Sequence, residues 1–475
     1  MWPRLALLSL LCGCAPSFQE DTLAHAPVPA LLQGMEGSGL DRVEGGWPTT
    51  EWWTSLGDEQ LNQLIEAALE GNPKMAAAFS RVERAVASQA VAQSANFPQM
   101  NVIPSFDILK YARNGVFGAF IPPTSPVTFG VTQLLFTFNW MIDIWGRVEH
   151  QLKASRADTE RQIAEWCVTR WMLAQQITQS YVHWQSAVAR SHLQRERVSL
   201  LKKIEALLVF QQSSAINNAI AVDQAHAQRL QADAALAGLD LDVMTTHHVL
   251  QELVGRPDGL IQPLEPRSTT QLARDVQSHI PASLPMNLLG RRPDVVASRH
   301  RVETLAELVR VARTAYYPNI DFTGSYFGLQ TTHIDELFQP GSLSFQMGPA
   351  LTLPWFDGGA RGGRYDSSVA SYDESVADYR QIVLQATREV LDAISQHRQA
   401  REALRALSAA EVALQQVCKK TEALSQHGLA STLPTLQVRL ECLSAQEQVI
   451  LGSEQILQAH VQLQVALGGG FSDAT

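Results

Sequence analysis

Apart from a short N-terminal stretch, the chain has no run of ~20 uninterrupted apolar residues, the length an α-helix needs to cross a lipid bilayer. If this protein spans a membrane, strands must do it. Lysine-rich runs are also missing, and 47 acidic against 37 basic residues leave a formal charge of −10. Nucleic acid is thereby excluded as a partner, because binding phosphates needs a basic footprint. Cysteine is scarce: Cys12, Cys14, Cys167, Cys418 and Cys442 follow no metal-ligand or disulfide-framework spacing, and the last three read as inert core residues of helices. His-Glu-x-x-His, Gly-x-Ser-x-Gly and zinc-spaced cysteine pairs do not occur. Gly358-Gly359-Ala360-Arg361-Gly362-Gly363 mimics a phosphate loop, but Arg364-Tyr365 stand where Lys and Ser or Thr are needed. The adjacent His247-His248 point to different faces of a helix and are poor joint ligands. Neither an enzyme nor a bound cofactor or metal is expected.

What is present is a duplication. Asn72-Pro73, Arg81-Val82-Glu83 and Phe97-Pro98 recur as Arg292-Pro293, Arg301-Val302-Glu303 and Tyr317-Pro318, and 293 − 73, 301 − 81 and 318 − 98 all give 220. Leu253-Val254-Gly255 is answered by Leu467-Gly468-Gly469 near the chain end. The expected organisation is a signal peptide over 1–13, an extended tether over 14–46, a first repeat over 47–256, a connection over 257–284, a second repeat over 285–470 and a tail over 471–475.

Each copy reads as helix, two strands, then two long helices. In the first, Asp58 is placed to cap a helix through Leu61, Leu64, Ile65, Ala68 and Leu69, which Gly71-Asn72-Pro73 ends; a second helix is predicted over 76–96. The period then changes from 3.6 to 2, predicting strands over 102–109 and 127–138 and, in the second copy, 320–326 and 343–353. Ile320 and Phe322 alternate with Asp321 and Thr323, so one face is apolar and the other polar. A half-buried strand of a soluble sheet gives the same alternation. Strands of about 9–11 residues, with Trp140, Trp145 and Trp355 just past their ends, favour a bilayer crossing.

Turns carrying Asp143 and Gly146, and Asp357, Gly358 and Gly359, open proline-free helical stretches over 147–212 and 360–427, each ~100 Å long at the usual rise. Return helices are predicted over 219–254 and 434–467. Heptads run through Cys167, Ala174, Tyr181 and Val188, and through Leu436, Leu443, Ile450 and Leu457. A rod-like structural lipoprotein would explain the heptads but leave the hairpins without a role. A membrane sheet cannot keep an open edge, and four strands are too few to close, about eight being the practical minimum. Three chains would supply 3 × 4 strands, so a homotrimer is expected.

The N-terminus pairs Arg4 with the apolar stretch Leu5 to Leu11 and ends in Leu11-Cys12-Gly13-Cys14, which resembles a bacterial lipobox. Cys14 is then the acylated residue, and the covalent lipid is the one non-protein group expected. Trp52-Trp53, Gly57-Asp58-Glu59-Gln60-Leu61, Leu284-Pro285, Leu288-Leu289, Arg291-Arg292-Pro293-Asp294, Phe356-Asp357-Gly358-Gly359 and Gly428-Leu429-Ala430-Ser431 together resemble the TolC- and OprM-like outer membrane efflux proteins. The likeness is to their lipoprotein branch, which serves resistance-nodulation-division pumps. It implies a mainly α, internally duplicated TolC-like fold, trimeric, with a 12-stranded outer-membrane β-barrel continued by a periplasmic α-helical barrel and a mixed equatorial zone. By the same resemblance, the turns near 213–219 and 428–434 form the periplasmic tip. Gly428, Leu429 and Ser431 would there dock a membrane-fusion adaptor, and Asp223, Thr435 and Gln437 would line an aperture. Family members often carry carboxylates after the second tip; Pro434-Thr435-Leu436-Gln437 has none. The implied activity is passive conduction of small toxic compounds from pump and adaptor across the outer membrane. A type I protein-secretion duct is the alternative within the family.

Overall fold

The computed structural model describes residues 16–19, 42–43, 47–116, 120, 122, 124–125, 128–214, 218–256, 263–275, 280–281 and 290–471. Cys14 and the Leu284-Pro285 and Leu288-Leu289 elements lie outside them. The main elements are α1 (Glu59–Gly71), α2 (Pro73–Ser94), β1 (Gln99–Lys110), β2 (Thr128–Met141), α3 (Arg147–Ser213), α4 (Ala219–Val254), α5 (Thr269–Asp275), α6 (Pro293–Thr314), β3 (Asn319–Thr331), β4 (Leu343–Thr352), α7 (Ala360–Gln426) and α8 (Thr432–Ala466). The order α-β-β-α-α occurs twice. The copies match in length, with α2 and α6 at 22 residues each and α3 and α7 at 67 each.

Two compact units divide the chain. One comprises Met1–Ala24, Val82–Arg161 and Ser298–Asp378; the other His25–Arg81, Gln162–Ala297 and Tyr379–Thr475. The first holds a four-stranded antiparallel meander in the order β1-β2-β3-β4. Its strands have 10–14 residues; the first three are longer than the alternation predicted, and β4 ends one residue short of the expected 353. Ladder pairing carries on past the clean alternation, from Gln99↔Asn139 at one end to Lys110↔Thr128 at the other.

The second unit is built on helix packing. Trp52, Trp53, Leu61, Leu64 and Ile65 form one core with Leu173, Ile177 and Tyr181 of α3, Leu250 and Val254 of α4, and Leu457 and Val461 of α8. Asp58 caps α1 as expected: Oδ1 accepts from the Gln60 and Leu61 amides at 3.0 and 3.4 Å. Oδ2 accepts from the Tyr181 hydroxyl at 2.8 Å, and Arg267 lies 3.3 Å from the fully buried carboxylate. One aspartate thus starts a helix and ties it to α3 and to the connection. The heptad positions Ala174, Tyr181, Leu443 and Leu457 are all buried. Helix α2 begins at Pro73 rather than 76, because proline is suited to the first helical position, where its missing N–H has no acceptor to lose. Similarly, α8 starts at Thr432, two residues before Pro434.

One sequence reading is overturned. Cys418 and Cys442 are not two inert core thiols: they form a disulfide between α7 and α8, with Cα atoms 6.8 Å apart. Among the described residues Cys167 alone is a free cysteine.

Candidate membrane face and hairpin tips

The register gathers an almost unbroken apolar face on one side of the meander, while the other side is mixed, with Ile103–Leu135 and Leu109–Phe129 pairs among its polar residues. Met100, Val102, Pro104, Phe106 and Ile108 of β1 stand opposite Phe138, Phe136, Leu134, Thr132 and Gly130 of β2. Trp140 pairs with Phe322, and on β4 the same face continues through Leu351, Pro349, Met347, Phe345 and Leu343. Asn101, Ser105, Asp107, Gln133, Asn139 and Asp321 occupy the other side, where Asn101 reaches Thr137 at 3.5 Å and Ser105 reaches Asp107 at 3.0 Å. The apolar face is bare within the chain: Ile108 is 71% and Phe345 73% exposed. Both outer strands, β1 and β4, keep an unpaired edge among the described residues. In water such a surface would aggregate, since apolar area and open ladder groups are both uncovered.

Where strands become helices, a carboxylate gathers the orphan amides. Asp143 accepts from the backbone N–H of Arg147, Val148 and Glu149 at 2.7, 2.9 and 3.0 Å. Asp357 accepts from the amides of Gly359 and Arg361 at 3.1 and 2.9 Å, and from the Arg361 guanidinium at 2.7 Å. Gly146 and Gly359, each immediately before the first helical residue, have φ of 75° and 91°, a conformation side chains resist. Those glycines serve the turn, not a phosphate. Aromatics crowd this level: Trp145 stacks on Tyr317 at 4.7 Å and donates to the Pro318 carbonyl at 2.7 Å, while Trp140 donates to the Asn96 carbonyl at 3.1 Å. Trp355 is 91% exposed. Rings with an apolar body and one satisfied N–H suit a membrane–water interface. Trp140 belongs to β2 itself rather than lying past its end.

At the far end of α7 the chain reverses through Gly428. The Leu429 amide donates to the Leu424 carbonyl at 2.8 Å and the Gly428 amide to that of Ser425 at 3.0 Å, with Gly428 at φ 73°, a helix-ending motif that requires a left-handed residue. Leu429 projects into solvent, 75% exposed, and Ser431 is the N-cap of α8. In the other hairpin Asn218 caps α4 by accepting from the Ala221 amide at 3.1 Å; residues 215–217 are outside those described. Asp223 and Gln437 are exposed on the second turns of α4 and α8, whereas the Thr435 hydroxyl donates back to the Ser431 carbonyl at 3.0 Å. The return helices are held by an apolar layer in which Val198, Leu201, Ile204 and Leu208 of α3 meet Ala225 and Ala232 of α4, with Leu433, Leu436 and Leu440 of α8 against it.

Four polar side chains whose surroundings the sequence did not reveal lie within the second unit. Arg292, 2% exposed, donates from Nε and Nη2 to Asp294 at 3.1 and 2.7 Å and from Nη2 to Glu389 at 2.7 Å, and lies 5.4 Å over the Trp171 ring. His183 sits between Glu454 at 2.8 Å and Asp242 at 3.2 Å; the Glu454 hydrogen bond leads in pushing its pKa up to about 9. His397 and His460 are buried, and desolvation brings them down to about 4 and about 3. Among the described residues, the groups at the tips and on the sheet form turns and packing.

A duplicated unit of a β-hairpin between helices, with an uncovered apolar sheet and long helical hairpins, defines a channel-wall protein rather than a binding globule. The sequence pattern of the outer membrane efflux proteins matches residues 64–256 and 284–469, and the chain belongs to that family. It is 26% identical over 493 residues to the multidrug resistance outer membrane protein MdtQ of Escherichia coli O6:H1, covering 99% of this chain and 98% of that protein. Identity to MdtP of the same strain is 27% over 480 residues, covering 99% and 96%. The Campylobacter jejuni CmeC outer membrane channel superposes with a TM-score of 0.82 at 20% identity, covering 98% of this chain and 96% of that one, and so shares the fold. The protein is an outer membrane efflux protein with a mainly α, duplicated TolC-like fold.

Proposed function

We propose that this chain is the outer-membrane exit duct of a tripartite efflux system, assembled as a homotrimer and conducting passively. The observation that carries the reading is the meander: four strands with one bare apolar face and two open edges, which only sister chains and lipid can cover. Three chains give 3 × 4 strands, enough for a closed barrel with a water-filled lumen. The mixed polar face then lines the lumen, and the helices prolong it on the periplasmic side. Energy comes from an inner-membrane resistance-nodulation-division pump, reached through a periplasmic membrane-fusion adaptor that docks at Gly428, Leu429 and Ser431. Asp223, Thr435 and Gln437 lie at the aperture that docking opens. The cargo class is small toxic compounds, in keeping with the names of the relatives. Cys14 carries the lipid anchor: Ser17, three residues on, accepts from the Tyr365 hydroxyl at 3.4 Å, and Phe18 packs edge-on against Tyr372 at 5.2 Å, beside the strand-to-helix level where an anchor would enter lipid.

The test combines purification and genetics. The detergent-solubilised protein should run as a heat-modifiable trimer, and deletion of the gene should sensitise cells to several unrelated toxic compounds. A folded monomer soluble without detergent would overturn the reading. Cys14→Ser should weaken membrane retention while trimers still form, and continued acylation of that variant would refute the anchor.

A further inference from the structure

The two helical hairpins are clasped at the same place by different chemistry. Cys418 precedes Gln426, the end of α7, by as many positions as Glu205 precedes Ser213, the end of α3. Cys442 follows Thr432, the start of α8, by as many as Arg229 follows Ala219, the start of α4. Each pair is 24 residues apart, so the repeats place Glu205 against Arg229 where they place Cys418 against Cys442. In the first hairpin the clasp is ionic: Arg229 Nε donates to Glu205 at 2.6 Å, His226 shares that carboxylate at 2.6 Å, and Arg229 also reaches Asp233 at 2.7 Å. In the second the equivalent position is covalent, with Cys418 and Cys442 only 7% and 6% exposed, and an exposed ion pair, Arg439 to Glu422 at 2.7 Å, stands between it and the tip.

We propose that Cys418 and Cys442 are a site of oxidative modification that locks the second hairpin into one mechanical piece close to its tip, while the first hairpin keeps a reversible, ionic version of the same clasp. The two thiols give up two protons and two electrons to an exchange-active protein disulfide of the compartment: one thiolate attacks it to form a mixed disulfide, the second resolves this, and the oxidant leaves as a dithiol. Once closed, the buried bond is shielded from exchange. The asymmetry has a mechanical meaning that rests on the proposed aperture. The hairpin carrying Gly428 transmits docking force without its helices sliding, and the ionic one yields where carboxylates are screened or neutralised.

The experiment uses the full-length detergent-solubilised protein. Alkylation followed by mass spectrometry should leave Cys418 and Cys442 unmodified until reductant is added and label both afterwards. Hydrogen exchange over 411–449 should then rise ~10-fold on reduction, with 198–236 unchanged, whereas high salt applied with the disulfide closed should loosen 198–236 only, because the bond holds α7 to α8 even where the Arg439–Glu422 pair is screened. The variant Glu205→Cys/Arg229→Cys should cross-link spontaneously in cells, replacing one clasp by the other. Free alkylation without reductant, or unchanged exchange after the bond is opened, would overturn the proposal, and so would absence of cross-linking in a folded double-cysteine variant. None of these readouts depends on transport. If the clasp behaves as stated but Cys418→Ser/Cys442→Ser and deletion of the gene both leave drug sensitivity unchanged, the efflux reading fails and the clasp stands.

Discussion

Replacing Arg292 tests whether the signature at the head of the second repeat is a structural keystone. Its guanidinium makes three hydrogen bonds of 2.7–3.1 Å to Asp294 and Glu389, and its own side chain is only 3% exposed, against 28% and 35% for the two carboxylates. Charged hydrogen bonds are worth ~1.5–3 kcal/mol each, and removing one partner of a buried pair costs ~3–5 kcal/mol. Both carboxylates can turn to water when the arginine is lost, so the lower end applies, and Arg292→Met should cost about 3 kcal/mol. Arg292→Lys keeps the charge but cannot hold both carboxylates through a planar fork, and should cost about half as much. Native-state hydrogen exchange at the start of α6 and along 386–392 reads the difference directly. About 3 kcal/mol corresponds to exchange roughly 100-fold faster in the methionine variant, with the lysine variant near 10-fold. A methionine variant exchanging as slowly as the parent would refute the reasoning, because the site would then be held by apolar packing against Trp171 alone.

Gly428→Val should cost ~1–2 kcal/mol at the tip through its left-handed backbone alone, since an added Cβ would meet nothing within 4 Å. Drug efflux in cells should fall while trimer yield on native gels holds; equal loss of both would make Gly428 a folding residue. Asp143→Ala should fray the start of α3 by about 1–2 kcal/mol, seen as faster exchange over 147–150, because three amides lose their acceptor together. The histidines set opposite pH limits. His183 has its folded pKa raised to about 9, so its contribution is full below ~6.5 and is lost as pH rises through 9; His183→Gln should flatten that alkaline loss. His397 and His460 stay neutral when folded, so stability falls as pH drops below ~6.5, where only the unfolded chain takes up their protons, until about 4 and 3. Thermal midpoints measured from pH 5 to 9.5 for the parent and for His183→Gln check both limbs.

The architecture was legible wherever the signal is local. Asp58, Gly428 and the Asp-Gly turns announce helix ends by their own backbone chemistry, and each sits where the spacing put it. Strand ends were less visible, because ladder pairing stabilises residues such as Gln99 and Met141 whatever the alternation says. The disulfide escaped for a different reason. Local cysteine spacing carries no information about two residues that meet only after a tip reverses the chain, and their partnership emerges once helix lengths on both sides of Gly428 are known. Arg292 was recognised as a motif, but its role as the hub of two carboxylates depends on Glu389, almost a hundred positions away in α7.

The equal span of α3 and α7, 67 residues each, restricts how this chain can change. Adding one heptad to a single hairpin would make it overhang its twin by ~10 Å, lifting one turn off any shared rim. Growth or shortening must therefore come in matched pairs, on both arms of both copies at once, so the molecule's reach is a quantity its two halves hold in common.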